Sequence, residues 1–202
     1  MPLPNTFPTV ATNDLWTAAN HNTYLRDNLN YLDNKVAANI WLSGAGGWAS
    51  QTLGAGAGGQ LEMGTNKQNI KYISFVDAAF SYAEWGFAMP DDWDGGTFTA
   101  KFHWMHPATT TNFGVAWGLQ GRAYANDDAL DQAWGTEVVT VDTGGTTSDI
   151  YVSPASGAIT LAGSPAAGQY VQFRCRRKYD DGSDNMAVAA YLIGIQLTYT
   201  RT

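Results

Sequence analysis

The sequence predicts a mainly β protein, a jelly-roll-like β-sandwich head preceded by an N-terminal α-helical stalk of coiled-coil type. Three observations lead there. Leu15, Ala18, Asn22, Leu25, Leu29, Leu32 and Val36 recur at alternating intervals of three and four residues, the spacing of a helical seam. Gly44, Gly46, Gly47, Gly54, Gly56, Gly58 and Gly59 then crowd a stretch with little side chain to bury. Beyond it the apolar period becomes two, the mark of strands with one dry face.

Taken in order, residues 1–12 carry Pro2, Pro4 and Pro8 and read as an extended arm with few backbone donors, suited to anchoring. Residues 13–40 read as an oligomerising helix. Asn13 and Asp14 can cap it, and no Gly or Pro interrupts it. Asn22 is the polar residue of the seam, a device that fixes register. Three heptads are short for an isolated helix, so the seam calls either for sister helices or for packing on the chain's own head. Residues 41–66 read as a Gly-rich neck. Their GAGAGG run lacks the Lys-Ser/Thr of a phosphate-binding loop.

Residues 67–202 read as the β head. Strand patterns fall at 70–76, 82–89, 97–104, 113–124, 136–142, 150–153, 158–162, 170–179 and 187–200. In the third of these, Phe98, Ala100, Phe102 and Trp104 share one face, and Lys101 and His103 the other. Turn signals separate the runs at Pro90-Asp91-Asp92, Asp94-Gly95-Gly96, Gly144-Gly145 and Asp181-Gly182. Short strands at this spacing predict a sandwich or barrel, and a jelly roll among them. Residues 127–133 have the composition of one helical turn.

Composition narrows the function. Hydrophobic residues are 45% and aromatics 13% of the 202 residues, so disorder is excluded. A formal net charge of −7 argues against nucleic acid and against an anionic membrane surface. No apolar run reaches the length of a membrane helix. The opening MPLPNTFPTV lacks the basic and apolar regions of a secretory signal, and synthesis in a cytoplasm is the expectation. Cys175 is the single cysteine and reads as a small buried hydrophobe.

The candidate chemical groups point away from catalysis. His103 and His106 fall on opposite faces of a strand, unsuited to one metal. Asp91, Asp92 and Asp94 read as a turn rather than a calcium loop. Glu62, Glu84 and Glu137 are the only glutamates, and nothing in their spacing pairs two of them for glycoside hydrolysis. No nucleophile elbow occurs. Neither a cofactor nor an enzymatic activity is expected. Arg174, Arg176, Arg177 and Lys178 gather four of the eleven basic residues, with Arg174 and Arg176 on one face beside Tyr170. They suit an outer-face or edge strand balanced by acidic turns, or a salt-bridged subunit contact. Trp85, Trp104 and Trp117 read as core. Trp48, Trp93 and Trp134 fall in expected loops, where each ring either packs or contacts a sugar or a neighbouring subunit.

The segment HNTYLRDNLN at residues 21–30 resembles the N-terminal helix of structural proteins of tailed bacteriophages. YAEWGFAMPDDWDGG at 82–96 and WGLQGRAYANDDALDQAWG at 117–135 are similar to the head domain of the same group. The resemblance implies a non-enzymatic virion protein of fibre or decoration type, located in the virion. It would form a homotrimer whose arm attaches to capsid or tail proteins. The alternative is a receptor- or carbohydrate-binding head that recognises host surface glycans. No catalytic residue follows from the resemblance.

Overall fold

A computed structural model describes residues 17–33, 37–108 and 113–202. Helix α1 (Ala18–Asp33) is followed by β1 (Ala37–Ser43), a 3-10 turn at Gly44–Gly46, β2 (Trp48–Ala49) and β3 (Gly56–Glu62). Next come β4 (Asn69–Phe75), β5 (Tyr82–Ala88), β6 (Thr99–Met105) and β7 (Phe113–Tyr124). Strands β8 (Val138–Gly144), β9 (Tyr151–Val152), β10 (Tyr170–Arg177) and β11 (Ala190–Thr200) complete the chain. One antiparallel sheet has the order β3-β4-β11-β6-β9, with β1 also paired to β11, and the other has the order β2-β5-β10-β7-β8. Strands β4, β6, β9 and β11 thus alternate with β5, β7, β8 and β10 between the two sheets. That interleaving is a jelly-roll sandwich.

The period of two decides what is buried. On β10 Val171, Phe173, Cys175 and Arg177 face the partner sheet, while Tyr170, Gln172, Arg174 and Arg176 face away. Phe75, Phe102, Trp104 and Trp117 fill the space between the sheets, with Phe75 edge-on to Trp117 at 5.4 Å and Phe102 stacked on it at 5.7 Å. The Trp104 indole donates to Asp142 Oδ2 at 2.8 Å, so its polar atom is satisfied. Trp85 and Cys175 are buried as expected, and burial pushes the Cys175 thiol well above its ordinary value.

Arg177 is the inward charge that needs explaining. Its guanidinium donates to both oxygens of Asp184, at 2.9 and 2.6 Å, to the Val188 carbonyl at 2.6 Å and to the Met186 carbonyl. Asp184 also accepts from the Ala116 amide at 3.1 Å. The pair therefore pins the crossover from β10 to β11 against β7, with four of the five guanidinium N–H groups engaged.

Several expectations are corrected. The helix was expected over 13–40, yet α1 ends at Asp33 and residues 37–40 belong to β1. Ala38, Ile40 and Leu42 alternate inward there, and the open edge of β11 supplies partners from Ala37↔Thr200 to Ser43↔Gly194. The stretch 41–66 was expected as a neck. It completes β1 and forms β2 and β3, whose glycines pair with β4 because an unpaired strand edge offers hydrogen bonds whatever the local propensity. Residues 158–162 form only the isolated bridges Phe98↔Ile159 and Arg122↔Ala162, and residues 127–133 are turn and irregular chain rather than helix. Of the expected seam, Ala18, Asn22, Leu25 and Leu29 are exposed. The more enclosed residues of α1 are Tyr24, Asp27, Asn28 and Tyr31. A coiled-coil stalk is therefore not what this single short helix displays. Leu15 and Val36, the side chain of Leu32 and the 1–12 arm lie outside the described residues.

Replacing Asp184 with Ala leaves the Arg177 charge buried and unpaired, and urea denaturation should show a loss of about 3–5 kcal/mol. Asp180→Ala, which removes the surface partner of Lys178, should leave the midpoint in place.

Candidate functional site

The outward side chains of the five-stranded sheet form the most chemically diverse surface of the described residues. Register fixes their order. Trp48 pairs with Glu84, Glu84 with Arg174, and Arg174 with Gln120, one row across four strands. The next row toward the chain start of β5 holds Tyr82, Arg176 and Gly118. On the other side lie Gly86, Gln172 and Arg122, then Ala88, Tyr170 and Tyr124. A strand turned by one residue would exchange this whole set for core residues.

Rings and guanidinium groups alternate along this face. The Arg176 carbon Cζ lies 4.6 Å from the Phe80 ring and 5.8 Å from that of Tyr82. Arg174 Cζ lies 4.6 Å from Tyr82 and 4.7 Å from Trp134. Each cation sits over the negative face of a ring, which holds both in place. Glu137 grips Arg176 with two 2.6 Å bonds. That hydrogen bond, the first of the causes, raises the Arg176 pKa further and keeps the charge fixed. Arg176, Arg177 and Lys178 of the charged run thus each pair with a carboxylate, while Arg174 is held by rings. The run belongs to a central strand, not an edge, and the Arg176 partner lies within the same chain.

Arg122 secures the loop that follows β7, donating to the Ala133 carbonyl at 2.6 Å and to Gln132. This loop carries Trp134 onto Arg174. The Gln120 amide fits with its oxygen toward Arg174 Nε at 2.8 Å and its nitrogen toward the Gly135 carbonyl at 3.2 Å.

One end of the face stays open. Tyr170 is 44% exposed, and its ring lies across Gly86. A Cβ at residue 86 would stand 2.1 Å from the Tyr170 hydroxyl oxygen, so only glycine lets the ring lie flat on the sheet. Beside it Gln172 donates to Glu84 Oε2 at 2.6 Å, and Ser50 donates to Oε1 at 2.6 Å. Tyr124 stands 6.1 Å from Tyr170, tilted by 32°. Burial first, then Tyr124 and Glu84, raise the Tyr170 pKa, so its hydroxyl stays protonated through neutral pH. Trp48 closes the far side of the Glu84 row, 43% exposed.

Of the three loop tryptophans expected to contact a ligand, Trp48 and Trp134 lie on this face. Trp93 does not. It is 6% exposed and stacks on Phe98 at 6.1 Å. The last residues of the chain fold over its turn, where the Asp94 amide donates to Thr200 and the Thr202 amide to Asp92. From sequence Glu84 is weighed only as a catalytic carboxylate and Tyr170 only as a neighbour of Arg174 and Arg176, and Tyr124 and Gln172 are not singled out. The signal available was a Gly at 86 on the same strand face as Glu84, opposite a Tyr-x-Gln strand start. His103 lies on the other sheet, and His106 is buried with Nδ1 at 2.5 Å from the Ala108 carbonyl. Among the described residues no group of His, Cys, Asp and Glu is arranged to hold a metal ion.

No protein-family model matches the chain, and no curated protein matches it in sequence. Among solved structures it is similar to the CBM22-2 xylan-binding domain of Xyn10C from Paenibacillus barcinonensis, at 10% identity and TM-score 0.47 over 80% of this chain and 99% of that one. It is similar to CBM28, a carbohydrate-binding module specific for non-crystalline cellulose, at 11% identity and TM-score 0.41, covering 77% and 86%. A protein of unknown function from Shewanella oneidensis matches at 10% identity and TM-score 0.31, covering 95% and 97%. At scores this low none of these likenesses says what this chain binds.

Proposed function

We propose that the protein is a non-enzymatic carbohydrate-binding module whose ligand lies across the outer face of the five-stranded sheet. The observation that carries this reading is the exposed Tyr170 ring held flat over Gly86 beside the Glu84–Gln172 pair. One face of a pyranose presents C–H groups, which pack on the negative face of an aromatic ring. Its rim presents hydroxyls, which need acceptors and donors placed in the ring plane. Glu84 supplies the acceptors, Gln172 and Tyr170 supply donors, and Trp48 offers a second ring across the Glu84 row. The Arg174 and Arg176 stacks keep the platform rigid, so little side-chain freedom is lost on binding.

Affinity electrophoresis against a panel of neutral polysaccharides tests this. At least one should retard the wild type. Tyr170→Ala should weaken that interaction about tenfold or more, roughly 1.4 kcal/mol. Gly86→Ala should do the same by lifting the ring while the fold persists. Migration unaffected by every polysaccharide, or a Tyr170→Ala variant that binds like the wild type, contradicts the reading.

A second reading concerns α1. In it the chain is a phage virion structural protein, a homotrimeric surface decoration or short fibre whose partners are capsid or tail proteins. The exposure of Leu25 (39%) and Leu29 (61%), one turn apart, favours the self-association in this reading, because sister helices would cover them. The two readings are compatible, since a trimer multiplies weak glycan contacts. Multi-angle light scattering should give three times the 21.8 kDa chain mass, reduced to one by Leu25→Asp with Leu29→Asp. A wild-type monomer at high concentration contradicts it.

A further inference from the structure

The opposite side of the sandwich carries a second exposed ring in a different electrostatic setting. Trp41 of β1 is 50% exposed. Its ring crosses Gly194 of β11, where a Cβ would meet Trp41 Cζ2 at 2.3 Å. This glycine, at the irregularity in the pairing of β11 with β6, does for Trp41 what Gly86 does for Tyr170. Trp41 pairs with Gln196, and Gln196 with Lys101, so the three form one row across β1, β11 and β6. His103 stands in the next row, edge-on to Trp41 at 5.0 Å and 78°.

Charge sets this face apart. Strands β1, β4, β6, β9 and β11 contain no Asp or Glu, in a chain of net charge −7. The one carboxylate in the sheet's strands, Glu62 on β3, is held by Lys67 at 3.3 Å, and Asp92, near the end of β11, is held by Arg201. Lys101 is exposed and has no carboxylate partner among the described residues. Adjacent strands are about 4.8 Å apart, so Trp41 and Lys101, two strands apart, are separated by about 10 Å. That span accommodates a pyranose stacked on the indole with a ring carboxylate reaching toward the flexible ammonium.

We propose that Trp41, Gln196 and Lys101 form a separate site for an acidic sugar, a uronate unit of a carboxylated polysaccharide. The indole face takes the C–H side of the ring, the Gln196 amide meets its hydroxyls, and Lys101 pairs with its carboxylate. His103 is held below its ordinary pKa by burial first and by Lys101 as well. A hydrogen bond with Gln196 opposes this shift, and the ring walls one side of the site through its edge-on contact with Trp41. This site does not depend on the five-stranded face, whose cations are already committed to Glu137 and to aromatic rings.

Isothermal titration with oligogalacturonate, at low and at physiological salt, tests it. Wild type should bind saturably and more weakly as salt rises. Trp41→Ala should lose at least tenfold, and Trp41→Phe, which keeps a ring over Gly194, should retain part of the affinity. Lys101→Gln should bind several-fold more weakly and with a flatter salt response. Tyr170→Ala should titrate like the wild type, while the neutral polysaccharide measured in parallel responds to Tyr170→Ala and not to Trp41→Ala. The proposal is overturned by a folded wild type that takes up no oligogalacturonate. It is overturned equally by unchanged binding in both Trp41→Phe and Lys101→Gln, or by loss in Tyr170→Ala, which would move the anion to the other sheet.

Discussion

Neighbouring residues of a strand point to opposite faces of its sheet, and on β10 this constraint organises the whole molecule. Phe173 and Cys175 close the dry interior while Arg174 and Arg176, one step away in sequence, hold the outer surface together. A slip of one residue against β5 or β7 would bury two guanidinium groups and expose the core. Core and outer face are therefore specified by the same register, and neither can drift without the other. Arg177 shows the same rule from the other side. It points inward by parity, and the β10–β11 crossover is folded so that Asp184 and two carbonyls meet it.

The two outer faces use one device for different ends. On each, a glycine opposite a large ring lets that ring lie against the backbone, Gly86 under Tyr170 and Gly194 under Trp41. A ring held in this way keeps its face toward solvent with little freedom left to lose. What differs is the electrostatics. On the five-stranded face Arg176 is paired with Glu137 and Arg174 is held against the Tyr82 and Trp134 rings, leaving the Glu84–Gln172–Tyr170 group as its polar edge. The six-stranded face carries Lys101 unpaired and strands almost free of acid. In the two proposals this contrast separates a neutral from an acidic sugar.

Much of the sandwich was legible in the sequence where alternation was strong. The pattern at 113–124 matches β7 and that at 170–179 covers β10 and overruns it by two residues, because Val115, Trp117 and Leu119, or Val171 and Phe173, leave one reading of the period. The N-terminal third was not legible. Residues 37–43 fit a helical stripe as readily as an alternation, and the edge of β11 that selects the strand lies more than a hundred residues away. The glycines of β3 look like linker because their partner, β4, supplies the order. Trp93 was misplaced because its turn signal is real, yet the C-terminal residues roof that turn, a contact no local pattern contains. The grouping of the platform residues is not legible in the sequence because Tyr170 over Gly86 is a diagonal contact between strands, visible only once the register is known.

The most direct measurement of the central claim is a heteronuclear NMR titration of the protein with a neutral oligosaccharide from the polysaccharide that binds it. The account predicts saturable shifts at the amides of Gly86, Tyr170 and Gln172 and at the Trp48 indole, with the six-stranded sheet silent. Shifts confined to the six-stranded sheet or to α1, or none at saturating sugar, would contradict it.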